Sequence, residues 1–153
     1  MYTFKFEALL KHRIFLEDRL KKEFASIQRE LAMEKNILEG KKSKQESTIL
    51  ELDHRKKDGM NAKEITMFQR FISCLSSEIK QQDKIVMDLD AKLEEKRDML
   101  IEAGKNRKIL EKLKERGIKA YKTRLLKEEF NFVNEIAVNR YHRKNLFKDG
   151  DQK

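Results

Sequence analysis

The chain has 153 residues, with 36 Lys plus Arg, 27 Asp plus Glu, 5 Gly, no Trp and no Pro. At the usual frequency, roughly seven or eight prolines would be expected, and their absence favours uninterrupted helix, because proline breaks long helices and punctuates turns. Charged residues make up 41% and hydrophobic ones 39%, which is too charged for a compact globule with a deep substrate pocket and too regularly apolar for a disordered chain.

Apolar runs are at most three residues long, as in Ile14 to Leu16, Ile85 to Met87 and Met99 to Ile101. A membrane-spanning helix needs about 20, so none is expected. The N-terminus, Phe4-Lys5-Phe6-Glu7, lacks the apolar core of a signal peptide. Cys74 is the single cysteine, which rules out an intrachain disulfide and suits a reducing compartment such as the cytosol.

The first helical stretch is expected over about 4–57. Phe6, Leu10, Leu20, Phe24, Ile27, Leu31, Leu38 and Leu52 share one seam, with Arg13, Glu17, Glu34, Lys41, Gln45 and Thr48 in its gaps. Leu9 and Leu16 widen the stripe, and the part from Lys41 to Thr48 should be held most weakly. A turn follows at 58–61: basic Arg55-Lys56-Lys57, then Gly59 as a helix stop, then Asn61 as an N-cap with Glu64 at the capping-box position.

The second stretch is expected over about 62–145. Ile65, Phe68, Ile72, Leu75, Ile79, Gln82, Val86, Leu89, Leu93, Lys96, Leu100, Ala103, Arg107 and Leu110 alternate at steps of three and four. That is a heptad seam of nearly seven repeats. After Leu110 it slips by four residues and resumes as Ile118, Tyr121, Leu125, Glu128, Phe132 and Ile136, a stutter beside Gly117 that predicts a bend or a change of partner near residue 115. The fold class is therefore all-α: a long antiparallel two-helix coiled coil with an extended C-terminal helix, one elongated domain over 1–153, monomeric in solution. With the fold-back near residue 60, residue i faces about residue 120 minus i, so helix one runs out opposite 118.

Charge divides the chain unevenly. Residues 1–103 carry 21 basic and 20 acidic side chains, residues 104–148 carry 14 and 5, and the last five carry 1 and 2. The basic part is the part without an intrachain partner. Its stripe of Tyr121, Leu125, Phe132 and Ile136, with Phe130 and Val133 beside it, points to docking in a protein partner, steered by Arg116, Arg124 and Lys127 toward acidic loops. Near the turn, Met67, Phe68, Phe71 and Ile72 exceed what a two-helix seam covers; Phe71 either folds over the edge of helix one or belongs to an exposed protein-binding patch.

No catalytic constellation emerges. His12, His54 and His142 lie on separate segments, the adjacent pairs Glu94-Glu95 and Glu128-Glu129 point to different helix faces, and Gly40-Lys41-Lys42-Ser43 and Gly104-Lys105 lack the rest of a phosphate loop. No metal or cofactor site is expected. Cys74 falls just off the seam, as a partly exposed thiol.

Three ordered stretches resemble the flagellar FliJ proteins of the bacterial type III export apparatus. They are Phe4-Lys5-Phe6-Glu7-Ala8-Leu9-Leu10-Lys11-His12-Arg13; Phe68-Gln69-Arg70-Phe71-Ile72 with Leu75; and Leu110-Glu111-Lys112-Leu113-Lys114-Glu115-Arg116 followed by Tyr121, Glu128-Glu129, Asn134-Glu135 and Ala137. Asn134-Glu135 stands where the family often has Asp-Glu. The resemblance implies a non-enzymatic stalk, similar to the γ subunit of rotary ATPases, whose paired ends enter the pore of the hexameric export ATPase. It further implies that the region toward the hairpin tip meets the cytosolic domain of the export gate through Phe71, Leu75 and Gln82, and that export chaperones are handed on. On that basis Arg116, Tyr121, Arg124, Leu125, Lys127, Phe132 and Ile136 become candidate ATPase contacts. The location implied is the cytoplasm, peripheral to the inner membrane through partners, with no nucleic acid bound. A basic coiled-coil nucleic-acid binder, which the sequence pI near 9.5 would suit, and a generic scaffold remain the alternatives.

Overall fold

A computed structural model describes residues 1–149, with side chains through Lys144. Two long helices, α1 (Glu7–Asp58) and α2 (Ala62–Asp149), pack against each other as a helical hairpin, and no strand occurs among the described residues. Gly59 closes α1 at φ +95°, a left-handed conformation that a side chain would strain. Its N–H donates to the Lys56 carbonyl at 3.4 Å. Asn61 then opens α2: its Oδ1 accepts from the Lys63 N–H at 3.4 Å and its carbonyl from the Ile65 N–H at 3.2 Å.

The chain divides into two units. One is Ile14–Gly104; the other joins Met1–Arg13 to α2 from Lys105 on.

In the first unit the core is a single line. Leu31, Leu38, Val86, Leu89 and Leu93 are buried together, with Phe24, Ile27 and Ile79 packed on them. Burying such side chains contributes about 1.5–3 kcal/mol each, and this line is the unit's main source of stability. Every expected seam position of α2 from Ile65 to Ala103 is buried or half-buried. The register also follows the expected fold-back: Lys96 Nζ lies 2.7 Å from the Glu23 carboxylate and Lys41 Nζ lies 3.7 Å from that of Glu78.

Polar residues at seam positions are paired rather than splayed. The Gln82 side-chain amide donates to the Glu34 carbonyl at 3.2 Å and also to the Glu34 carboxylate. That of Gln45 donates to Ser76 Oγ at 2.5 Å and to the Ile72 carbonyl at 3.4 Å. Thr48 satisfies its hydroxyl within its own helix, on the Lys44 carbonyl at 2.7 Å. The stretch from Lys41 to Thr48 thus exchanges apolar burial for directional bonds, which fix register more than they add stability.

In the second unit, Leu10 and Leu110 are buried, and Lys114 Nζ pairs with the Glu7 carboxylate at 2.7 Å. The expected stutter leaves α2 unbroken as α-helix. What changes there is the partner. Residues 1–6 continue past the start of α1 and lay Tyr2 against α2, with its ring 5.8 Å from that of Tyr121. Gly117 provides the space, since a Cβ at that position would collide with the Tyr2 phenol.

Candidate protein-docking surfaces

Downstream of Tyr121, every side chain of α2 from Lys122 to Lys144 is exposed. Among them Leu125 is 37% exposed, Ile136 40% and Phe132 64%. In water, a stripe of this kind carries an unfavourable hydration free energy that only a partner can relieve. Four of the other expected contact residues lie at or near its start. Tyr121 is half-buried under Tyr2, and Arg124 sits 5.7 Å over the Tyr121 ring while pairing with Glu128 at 3.5 Å. Arg116 and Lys127 are exposed.

Lys119, 2.8 Å from Glu115, lowers the Glu115 pKa below the ordinary glutamate value, mainly through its hydrogen bond and then through its charge. The local field is basic, and an acidic partner would extend the same interaction across an interface.

At the hairpin end, the tip residues separate into two roles. Leu75 is 4% exposed and Gln82 6%, both within the seam. Phe71 is 42% exposed, with Lys44 Nζ 5.4 Å from its ring centroid, and Met67 beside it is 70% exposed. Phe71 thus lies under the Lys44 ammonium of α1 and keeps much of its surface in solvent. Phe68, by contrast, is half-buried under Arg55, whose guanidinium lies 5.5 Å from the ring.

The residues weighed for chemistry are dispersed. His54 lies 3.8 Å from Asp58 at the exposed C-terminal end of α1, His142 stacks edge-on to Tyr141, and Cys74 is exposed beside Glu78. No group of His, Cys, Asp and Glu among the described residues is arranged to hold a metal ion. No described helix is long and apolar enough to cross a membrane.

Sequence periodicity had not revealed the contact of Tyr2 with Gly117. Its only trace is a glycine in the middle of a helix, where alanine would otherwise be preferred by about 1 kcal/mol.

A coiled-coil hairpin whose second helix outruns the first, with a basic and apolar surface on the excess, defines a helical assembly component. The family model described as Flagellar FliJ protein matches residues 2–146, and the chain belongs to that family. It is accordingly a component of the flagellar export apparatus, in a family of non-catalytic components. A search of curated proteins and one of solved structures gave no match.

Proposed function

We propose that the protein is a non-enzymatic stalk of the flagellar export apparatus, working in the cytoplasm and at the cytoplasmic face of the inner membrane through its partners. Its unpaired α2 segment inserts in the hexameric export ATPase and couples or stimulates it. The supporting observation is the continuous exposure of α2 from Lys122 to Lys144 along a stripe that begins at Tyr121 and continues through Leu125, Phe132 and Ile136. Arg116, Arg124 and Lys127 steer that segment toward acidic loops, and apolar burial supplies the affinity. The hairpin tip meets the cytosolic domain of the export gate around Phe71. Leu75, one turn from Phe71, and Gln82, further along the seam, were both expected at the gate; they are buried and instead hold the helix that carries Phe71 in register. Export chaperones are handed on along the same route.

Truncation after Gly117 should abolish ATPase binding and stimulation while the hairpin keeps its helicity. Leu125→Asp should do nearly the same with one unit of charge change. ATPase binding retained by the truncated chain would overturn the stalk role, and DNA binding by the intact chain that survives physiological salt would favour a phosphate-binding arm instead.

A further inference from the structure

The unpaired segment of α2 carries two apolar lines, not one. At about 100° per residue, Tyr121, Leu125, Phe132 and Ile136 form the line described above. Leu126, Phe130, Val133, Ala137 and Tyr141 form another, spaced at steps of four, three, four and four, about 130° further round the helix. Leu126, Phe130 and Tyr141 are each 66% exposed and Val133 60%, so no described residue of this chain covers the second line. Lys122, Glu129 and Arg140 lie between the two lines, which makes them separate faces.

The faces differ in charge. Around the first line, basic residues alternate with Glu128, Glu129 and Glu135. Around the second stand Lys119, Lys122, Lys127, Arg140 and Lys144, with Glu129 the one carboxylate among them; Lys127, also named above among the residues that steer the ATPase, lies on this side of the helix. Lys119 is paired with Glu115, whereas Lys122, Lys127, Arg140 and Lys144 have no acidic partner among the described residues. We infer that the second line of α2 is a docking face for an acidic amphipathic helix of another protein, distinct from the face assigned to the ATPase.

From Leu126 to Ala137 the steps alternate as in a coiled-coil seam, and Tyr141 follows one turn further on the same side of the helix, a spacing that a helix fits and an extended peptide does not. The unpaired lysines and arginine at its edges require Glu or Asp at the flanking positions of that helix, and they oppose a second copy of this basic face. A lipid surface fits less well. An interfacial helix keeps its charges off the apolar side, whereas Lys122, Glu129 and Arg140 would be pressed into the acyl boundary between the two lines. Phosphate binding needs no apolar line at all.

The test uses the full-length chain and a labelled synthetic peptide of three heptads, with Leu at the seam positions and Glu at the flanking ones. Such a peptide repels itself and stays monomeric. A control carries Lys at the flanks. Fluorescence anisotropy at physiological salt should show binding of the Glu peptide and far weaker binding of the Lys peptide. Phe130→Ser should raise the Kd by about tenfold or more, as loss of a central aromatic anchor does. Leu125→Ser, on the other line, should change it by less than about twofold. Both variants sit on exposed positions and should keep the parent's circular dichroism spectrum.

Equal binding of the two peptides, or equal loss with Leu125→Ser and Phe130→Ser, would overturn the inference. So would tighter capture by phosphatidylcholine–phosphatidylserine vesicles or by duplex DNA that Phe130→Ser weakens to the same degree. The ATPase takes no part in this test. Failure here leaves the stalk role standing, and a chain that binds the Glu peptide but no ATPase loses that role alone.

Discussion

Tyr2 lies against α2 where Gly117 has no side chain: a Cβ at residue 117 would come within 2.8 Å of Tyr2 Cζ, and closer still to the hydroxyl. The contact joins the N-terminal residues to the point where α2 loses α1 as a partner. Alanine at 117 therefore has two opposing effects, a helix-propensity gain of about 1 kcal/mol and the displacement of Tyr2. Gly117→Ala should leave the melting temperature unchanged or lower it in the native background, and raise it in a Tyr2→Ala background. A thermal double-mutant cycle followed by circular dichroism reads this coupling directly, and additive effects would mean that Tyr2 does not occupy the notch.

Gly40 is the counterpart without a neighbour. It stands mid-helix in α1, and a Cβ there meets nothing within 4 Å. Gly40→Ala should stabilise the chain by about 0.5–1 kcal/mol, through helix propensity and a less flexible unfolded state. Urea unfolding measures it, and a destabilisation would reveal a local need for backbone freedom.

Leu75 and Phe71 lie four residues apart with opposite exposures, 4% and 42%. Leu75→Ala should cost about 2–5 kcal/mol, the range for a buried leucine. Phe71→Ala should cost less than about 1.5 kcal/mol, because much of the ring is already in water, yet it should weaken binding to the export gate's cytosolic domain. If the two substitutions destabilise equally, Phe71 belongs to the core and the tip surface does not exist as drawn.

Glu23 predicts an acid dependence. Its pKa is lowered, first by the hydrogen bond from Lys96 and then by that from Arg19. A carboxylate with a lowered folded-state pKa contributes stability that is complete above its unfolded value, ordinarily 4.5. That contribution is lost as pH falls through the lowered folded-state value. Native chain and Glu23→Gln should therefore differ most in melting temperature near neutral pH and converge under acid. A gap that widens on acidification would contradict the pairing with Lys96.

Much of this molecule is decided locally. Without proline, and with apolar residues at alternating steps of three and four, the chain has one economical way to bury Leu31, Leu38, Val86, Leu89 and Leu93. Gly59 and Asn61 punctuate it where the chain must reverse. Periodicity and turn chemistry are short-range properties, so seam, hairpin and register could all be read from residue order. The same periodicity runs on through Leu125, Phe132 and Ile136, and there it says nothing about whether anything lies opposite. Burial depends on where a second segment ends. The fold-back register places the end of α1 opposite about residue 118; only the tertiary structure shows Tyr2 seated on Gly117, the last cover among the described residues before α2 side chains that are all exposed. A pattern in one helix specifies the face that seeks a partner; whether that partner is the chain itself is settled by the packing of residues far apart in sequence.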